Sequence, residues 1–422
     1  MANNVFKKSN LQSGEMAYKY YARVENPSSV FPGFEILPLA DPITSFSKNP
    51  LAFLMDMDGT TTTTETLCLY ALEDAIRKAI GRQSWTGLVP DIDYPNIIGN
   101  STTKHVEYLV EKYQPLFNMN TLFKHYLESA RWTIEECRDK NRRIQAEKNL
   151  VFNGLGNGPN MPNSIPETLK TFEGKVRACS DIYYHTYHLI LNAIEAGDDT
   201  YIEKLPGFDS SERLIKPMPA VAATLAILKG DLGREAGNMA LVNPSEDIGT
   251  ESAKAAKETL AGLGDYFAKH PVKVALVTSS IKFEADIVMD QVFKVINDEI
   301  KNWPVSQTCR HKLQHRFSAT ANCYDAFITA NDATEMRLKP HRDLYSTALQ
   351  MLQISPDNFD AVAGFEDSES GSIALRAAGV GLTVALPFLE SANHNFDAAS
   401  MVIKGGLPDV LINHKLFMSN IL

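Results

Sequence analysis

Five short, largely apolar runs frame this chain: LAFLM (51–55), VKVALV (272–277), AFIT (326–329), AVAGF (361–365) and VGLTVAL (380–386). Runs this continuous read as strands buried on both faces, the situation of a parallel sheet covered by helices. Polar or small residues follow each run, and most then lead into a helical pattern. After Pro340, HRDLYSTALQML puts Leu344, Ala348 and Leu352 on one helical face, with the proline near the first turn, where its missing N–H does no harm. After Glu366 and Asp367, SESGSIALRAAGVG predicts a short helix ended by Gly379. Strand, helix, strand alternation at this spacing predicts an α/β fold with a doubly wound parallel sheet.

The predicted sheet is split in the sequence. Between Asp58 and Thr278 lie roughly 220 residues, against the dozen or so that a crossover helix needs. Helical patterns fill much of this stretch: 65–81, 102–113, a charged run from Thr121 to Asn149, and 167–197. A helical domain over 63–214 is therefore expected, inserted into an α/β core of 51–62 and 215–422. The core has an insertion of its own at about 231–271, a loop followed by an alanine-rich helix. The segment 153–166 is dense in Gly, Asn and Pro; no strand precedes it and no Lys-Ser/Thr comes after it, so it reads as a linker and not as a phosphate loop. Residues 1–50 carry Pro27, Pro32, Pro38, Pro42 and Pro50 and show no period, as expected of an N-terminal extension wrapped over the surface. The one low-complexity run is TTTTT at 60–64.

With a formal net charge of −10, the chain lacks the basic footprint that nucleic acid or an anionic membrane surface requires. No stretch approaches the roughly 18 uninterrupted apolar residues of a membrane span, and the start has no apolar core of signal-peptide length, so a cytoplasmic protein is expected. The five cysteines, Cys68, Cys137, Cys179, Cys309 and Cys323, are odd in number and scattered, which predicts reduced thiols. A monomer or homodimer acting on a small molecule is the expected state.

In open α/β sheets ligands bind beyond the carboxyl ends of strands. The polar residues at those ends are Asp56 and Asp58, Thr278 and Ser279, Glu366 and Asp367, with Lys339 just before Pro340. Acids, one lysine and hydroxyls suit a phosphate monoester and Mg²⁺. Asp56 and Asp367, a backbone carbonyl near Asp58 and a phosphate oxygen make a sensible Mg²⁺ set, and the metal would offset the repulsion between an anionic nucleophile and an anionic substrate. A carboxylate could then attack phosphorus and form an aspartyl phosphate. Asp58 projects to the same face as Asp56 and fits the acid that protonates the leaving oxygen. Lys339 would neutralise phosphoryl charge, and Thr278 with nearby N–H groups would hold the oxygens.

Taken in order, DMDGT (56–60), ALVTSS (275–280), RLKPHRDLY (337–345) and GFEDSESGSIALRAAG (364–379) resemble the four motifs of the haloacid dehalogenase-like superfamily. The resemblance implies a Rossmann-like core with an inserted, enlarged α-helical cap. It implies Asp56 as nucleophile, Asp58 as general acid then base, Gly59, Thr278, Ser279 and Lys339 around the phosphate, and Mg²⁺ among Asp56, Asp58, Glu366 and Asp367. An aspartate at position 58 implies phosphate ester chemistry, since dehalogenase and phosphonatase branches lack it. IIGNSTTKHVEYL (97–109) also resembles the cap loop and helix of the β-phosphoglucomutase-like branch, which makes Ser101 and Lys104 candidates for substrate contact. The implied activity is a Mg²⁺-dependent phosphatase acting on a small phosphate monoester such as a sugar phosphate. Its rivals are a sugar phosphate mutase and a non-catalytic binding module.

Competing readings of the same residues are weaker. Asp-Gly at 58–59 could turn a hairpin, but the residues from Thr60 onward do not have a strand pattern; Thr62 and Glu65 instead read as a capping box opening a helix. Asp56, Asp58, Gly59 and Glu65 fall on calcium-loop positions 3, 5, 6 and 12, yet position 1 would be Leu54, which cannot ligate. Thr278 and Ser279 could cap the next helix. HTYH (185–188) and the set around Cys309 and Cys323 lack the paired spacing of a zinc site.

Overall fold

A computed structural model of the chain describes residues 4–7, 18–26, 30–81, 85–99, 101–156, 164–198, 214–241, 250–334, 337–388, 391 and 393–413. Two compact units result, one of Met1–Thr63 with Ile215–Leu422 and one of Thr64–Leu214.

In the first unit, the apolar runs become parallel strands β4 (Ala52–Asp56), β5 (Lys273–Val277), β6 (Ala326–Ile328), β7 (Val362–Glu366) and β8 (Leu382–Ala385), joined by a short β9 (Met401–Val402). Three antiparallel strands, β1 (Asn4–Lys7), β2 (Tyr20–Glu25) and β3 (Phe34–Leu39), precede them. Every residue of β4 and β7 is buried, as continuous apolar strands under helices must be. The sheet order is β6-β5-β4-β7-β8-β9. Counting from β4, the strands run third, second, first, fourth, fifth, sixth, the doubly wound Rossmann-like order whose switch point lies between β4 and β7. Phe53 on β4 stacks against Phe365 on β7 with centroids 5.9 Å apart. Each such large side chain removed from water contributes about 1.5–3 kcal/mol.

Helix Asp343–Met351 buries Leu344 and Ala348, and Leu352 at its C-cap is buried too. Helix Glu369–Ala377 ends as expected, with Gly379 at φ 103° just beyond the C-cap Ala378. The capping box expected at Thr62 does not form. The helix starts at Glu65 with Thr64 as its N-cap residue, and the Thr62 hydroxyl donates to the carbonyl of Met57 at 3.2 Å. The N-terminal residues, without visible period in the sequence, include the three-stranded β1-β2-β3 sheet. Ala22, Val24, Leu37 and Leu39 of this sheet pack on Ile373 and Ala377 of helix Glu369–Ala377. Buried Arg376 from that helix donates to the carbonyls of Ala40 (2.7 Å) and Ala398 (2.8 Å).

The second unit is helical: α1 (Glu65–Ile80), α2 (Pro90–Ile97), α3 (Thr102–Tyr113), α4 (Met119–Glu136), α5 (Lys140–Phe152), α6 (Glu167–Lys170) and α7 (Phe172–Ala196). Two expected helices are each broken in two. The run 121–149 breaks at Cys137, and Asp139 then caps α5 by accepting from the N–H of Arg142 at 2.7 Å. The run 167–197 breaks at Thr171, whose hydroxyl accepts from the N–H of Gly174 at 3.1 Å. Side chains that compete for backbone N–H groups favour such caps over helix interiors. The two histidines of HTYH are engaged separately, His185 with Ser129 (3.0 Å) and His188 with Cys137 (3.2 Å), which makes no metal set. Among the described residues no helix is long and apolar enough to cross a membrane.

Candidate active site

Asp56 is the last residue of β4 and Glu366 the last of β7, so the switch point of the sheet puts two carboxylates side by side at strand ends. Asp367 follows at once. One ligand oxygen from each of Asp56, Glu366 and Asp367 lies within 4.8 Å of the others, and all three side chains are buried. Asp58 is not in this cluster.

Lys339 enters from the loop before helix Asp343–Met351. Its ammonium donates to Asp56 Oδ1 and lies 2.7 Å from Glu366 Oε1, with 5% of the side chain exposed. Burial alone would lower the lysine pKa, but Asp56 and Glu366 together hold it above the usual value, so the cation is retained. Asp56 is pushed above the usual carboxylate range, first by burial and then by the Glu366 charge, while Lys339 pulls it back.

Glu366 is held on both oxygens: the Tyr345 hydroxyl also donates to Oε1, and Ser368 Oγ donates to Oε2 at 3.2 Å. A β-carbon at Gly371 would come within 1.9 Å of the Glu366 carboxyl carbon, so only glycine lets the helix approach this carboxylate. Gly59 is constrained twice. Its φ is +84°, and a β-carbon there would meet Asp367 Oδ2 and Phe388 Cε1, each at 2.6 Å.

The threonine run is a buried part of the site. Thr60 Oγ1 reaches Asp367 Oδ1 at 3.5 Å, Thr61 Oγ1 donates to the carbonyl of Asp56 at 2.5 Å, and Thr62 bonds Met57. Thr63 Oγ1 in turn accepts from the N–H of Lys216 at 3.0 Å. These bonds fold the loop after β4 back on itself and fix the direction of Asp56 and Asp58.

Asp58 turns toward the end of β5. Thr278 Oγ1 donates to Asp58 Oδ2 at 2.7 Å, and Ser280 Oγ donates to the same oxygen at 3.1 Å. The expected alternative for Thr278 and Ser279, helix capping, does not occur: the next helix is Lys282–Ile300, with Ile281 as its N-cap residue. Ser279 Oγ is buried and has no hydrogen-bond partner among the described residues. Ser101 and Lys104 belong to the helical unit, Ser101 as the N-cap residue of α3 and Lys104 in its first turn.

Sequence reasoning missed Tyr345, Ser368, Ser280 and the threonine hydroxyls. Each stands in or beside a quoted motif, but its partner is fixed by the fold.

The donors are all hard oxygens, and the cluster sets three carboxylates against one ammonium. That surplus of buried negative charge, with an oxygen-only donor set, fits a divalent cation of the Mg²⁺ type and not a zinc site.

No family model matches the sequence, and no curated protein matches it. Comparison with solved structures gives CbbY from Rhodobacter sphaeroides in complex with phosphate, at 12% identity and a TM-score of 0.42, covering 86% of this chain and 96% of that one. β-Phosphoglucomutase from Clostridium difficile matches at 12% identity and a TM-score of 0.38, covering 83% and 89%. A hydrolase from Pseudomonas syringae matches at 13% identity and a TM-score of 0.38, covering 86% and 96%. Within this chain itself, the sheet order, the motif order and the meeting of Asp56, Lys339, Glu366 and Asp367 beside the switch point, with Thr278 at the end of β5 on Asp58, agree with the haloacid dehalogenase-like resemblance drawn from the sequence.

Proposed function

We propose that this chain is a Mg²⁺-dependent phosphatase that hydrolyses a small phosphate monoester through an aspartyl phosphate on Asp56. The observation that carries the reading is the buried group of Asp56, Lys339, Glu366 and Asp367 at the carboxyl ends of adjacent parallel strands.

An oxygen of Asp56 attacks phosphorus, and the bond from phosphorus to the ester oxygen breaks. Asp58 gives its proton to that oxygen, which leaves as an alcohol. Asp58, now anionic, takes a proton from water; the resulting hydroxide attacks phosphorus, releasing inorganic phosphate and restoring Asp56. Lys339, Thr278 and Ser279 hold the phosphoryl oxygens and balance the charge that builds on them. Asp56, Asp367 and a backbone carbonyl near Asp58 would hold Mg²⁺, with Glu366 beside them engaged by Lys339, Tyr345 and Ser368. When bound, the ion offsets the repulsion between carboxylate and phosphate.

The test is phosphate release from a panel of sugar phosphates, nucleotides and p-nitrophenyl phosphate, with and without Mg²⁺. Asp56→Asn is expected to lower turnover by at least ~10³-fold while the fold is retained. Turnover that survives this substitution removes the covalent step. A sugar phosphate that is isomerised without phosphate release identifies a mutase instead.

A further inference from the structure

The end of β5 carries three hydroxyls in a row, and they are used in three different ways. Ser279 Oγ is buried with no hydrogen-bond partner among the described residues. Thr278 Oγ1 accepts from the N–H of Ser280 at 2.9 Å and gives its one proton to Asp58 Oδ2 at 2.7 Å. Ser280 Oγ gives its proton to the same carboxylate oxygen at 3.1 Å.

From this division we infer that Ser280 is a positioning residue for Asp58 during departure of the leaving group. The inference rests on the proposed phosphatase chemistry, in which Thr278 binds a phosphoryl oxygen. A threonine hydroxyl has one proton. Once Thr278 donates it to the phosphoryl group, it no longer donates to Asp58, and the Ser280 hydroxyl remains on Oδ2. Ser280 is well anchored for that task, since its N–H is bound to Thr278 Oγ1 and its carbonyl accepts from the N–H of Ala330 at 2.9 Å. Asp58 thus keeps this hold on Oδ2 when the Thr278 hydroxyl has turned to substrate. Ser279 supplies a further donor for the phosphoryl oxygens without drawing on Asp58.

The test compares kcat/KM on two esters, because that ratio covers the steps up to leaving-group departure. p-Nitrophenolate leaves without a proton, whereas an alkoxide needs one. Ser280→Ala is expected to lower kcat/KM about 10–100-fold on the best alkyl phosphate of the panel and less than about 3-fold on p-nitrophenyl phosphate. Ser280→Thr, which keeps the hydroxyl, is expected to restore most of the alkyl activity. Equal losses on both esters, or none on either, overturn the role of Ser280 while leaving the phosphatase reading intact. A wild-type chain that releases phosphate from neither ester overturns the phosphatase reading, and the role of Ser280 with it.

Discussion

Each unit buries aspartates, and each treats them differently. At the strand ends Asp56 touches the Lys339 ammonium directly, and neighbouring Glu366 takes hydrogen bonds from Lys339, Tyr345 and Ser368. In the helical unit, Asp181 on α7 accepts one hydrogen bond, from Asn149 at 2.9 Å, and its second oxygen has no partner among the described residues. Burial pushes the Asp181 carboxyl up to about 7, and the Asn149 hydrogen bond with the charges of Arg142 and Arg177 pulls back only part of that. Asp93, also buried, separates the two effects. Burial would raise it too, but Lys112 (2.5 Å), the Val89 N–H (2.6 Å), Tyr113 (2.7 Å) and Tyr108 (2.9 Å) together hold it below the usual value. Burial alone therefore does not decide the charge of a carboxyl group. At Asp93 a cation with three further donors outweighs burial, whereas at Asp181 one hydrogen bond does not, and at Asp56 burial and the Glu366 charge outweigh contact with Lys339. The strand-end cluster gathers more carboxyl groups than its one ammonium balances, and a further cation there would draw Asp56 back toward the carboxylate form.

Lys339→Met removes the cation that touches two buried carboxylates and leaves them facing each other. An unpaired buried charge costs about 3–5 kcal/mol, so urea unfolding of the first unit, followed by Trp303 fluorescence in a Trp85→Phe, Trp132→Phe background, is expected to lose stability of that order. Adding Asp56→Asn to Lys339→Met is expected to recover part of the loss, because one of the stranded charges is then gone. If the single variant is as stable as wild type, the cluster is not the charged assembly described here.

Legibility in the sequence depends on where the signal lies. The strands β4 to β8 were legible because their burial on both faces writes itself as local apolar runs. Asp56, Asp58, Lys339 and Asp367 were legible because each stands at the end of such a run or before a helix, where ligands bind. Tyr345 and Ser280 were not, since their roles depend on partners 21 and 222 residues away. The threonine run looked like low complexity, yet its hydroxyls become a buried hydrogen-bonded loop that no propensity encodes. The N-terminal strands were hidden by proline: Pro38 lies within β3, opposite Tyr21, at the edge of the β1-β2-β3 sheet, where a missing N–H is tolerated. The helix breaks at Cys137 and Thr171 were missed because charge and apolar periodicity continue across them.

Asp181 makes the stability of α7 depend on pH. Its folded value of about 7 lies above the ordinary 3.8, so folding favours the protonated form. The stability it contributes is full below about pH 4 and is lost as pH rises through about 7, where the anion must be buried. Across that window wild type is expected to lose on the order of 2–4 kcal/mol of local stability. Asp181→Asn keeps an acceptor for Asn149 and does not titrate, so its stability is expected to be flat by comparison and above wild type at pH 8. Native-state hydrogen exchange along α7, corrected for intrinsic rates, makes the measurement. A variant that is less stable than wild type at pH 8 means that Arg142 and Arg177 keep Asp181 charged.

The smallest effect is expected where the same kinds of group meet solvent. Glu35 on β3 lies 3.1 Å from Arg337, which also grips Asp343 through two nitrogens at 2.9 and 3.0 Å. Glu35 Oε2 is also 3.8 Å from His341 Nδ1, so this network links the N-terminal sheet to both sides of Lys339. Glu35 and Arg337 each keep 34% of their side-chain exposure, and Asp343 keeps 35%. Water then screens the pair, and Arg337 retains its two-pronged partner when Glu35 is changed. Glu35→Gln is therefore expected to cost less than about 1 kcal/mol and to leave kcat/KM within about 2-fold of wild type. A larger loss of kcat/KM with stability unchanged would mean that the N-terminal sheet sets the position of the Lys339 loop, and that exposed charge here acts through geometry and not through energy.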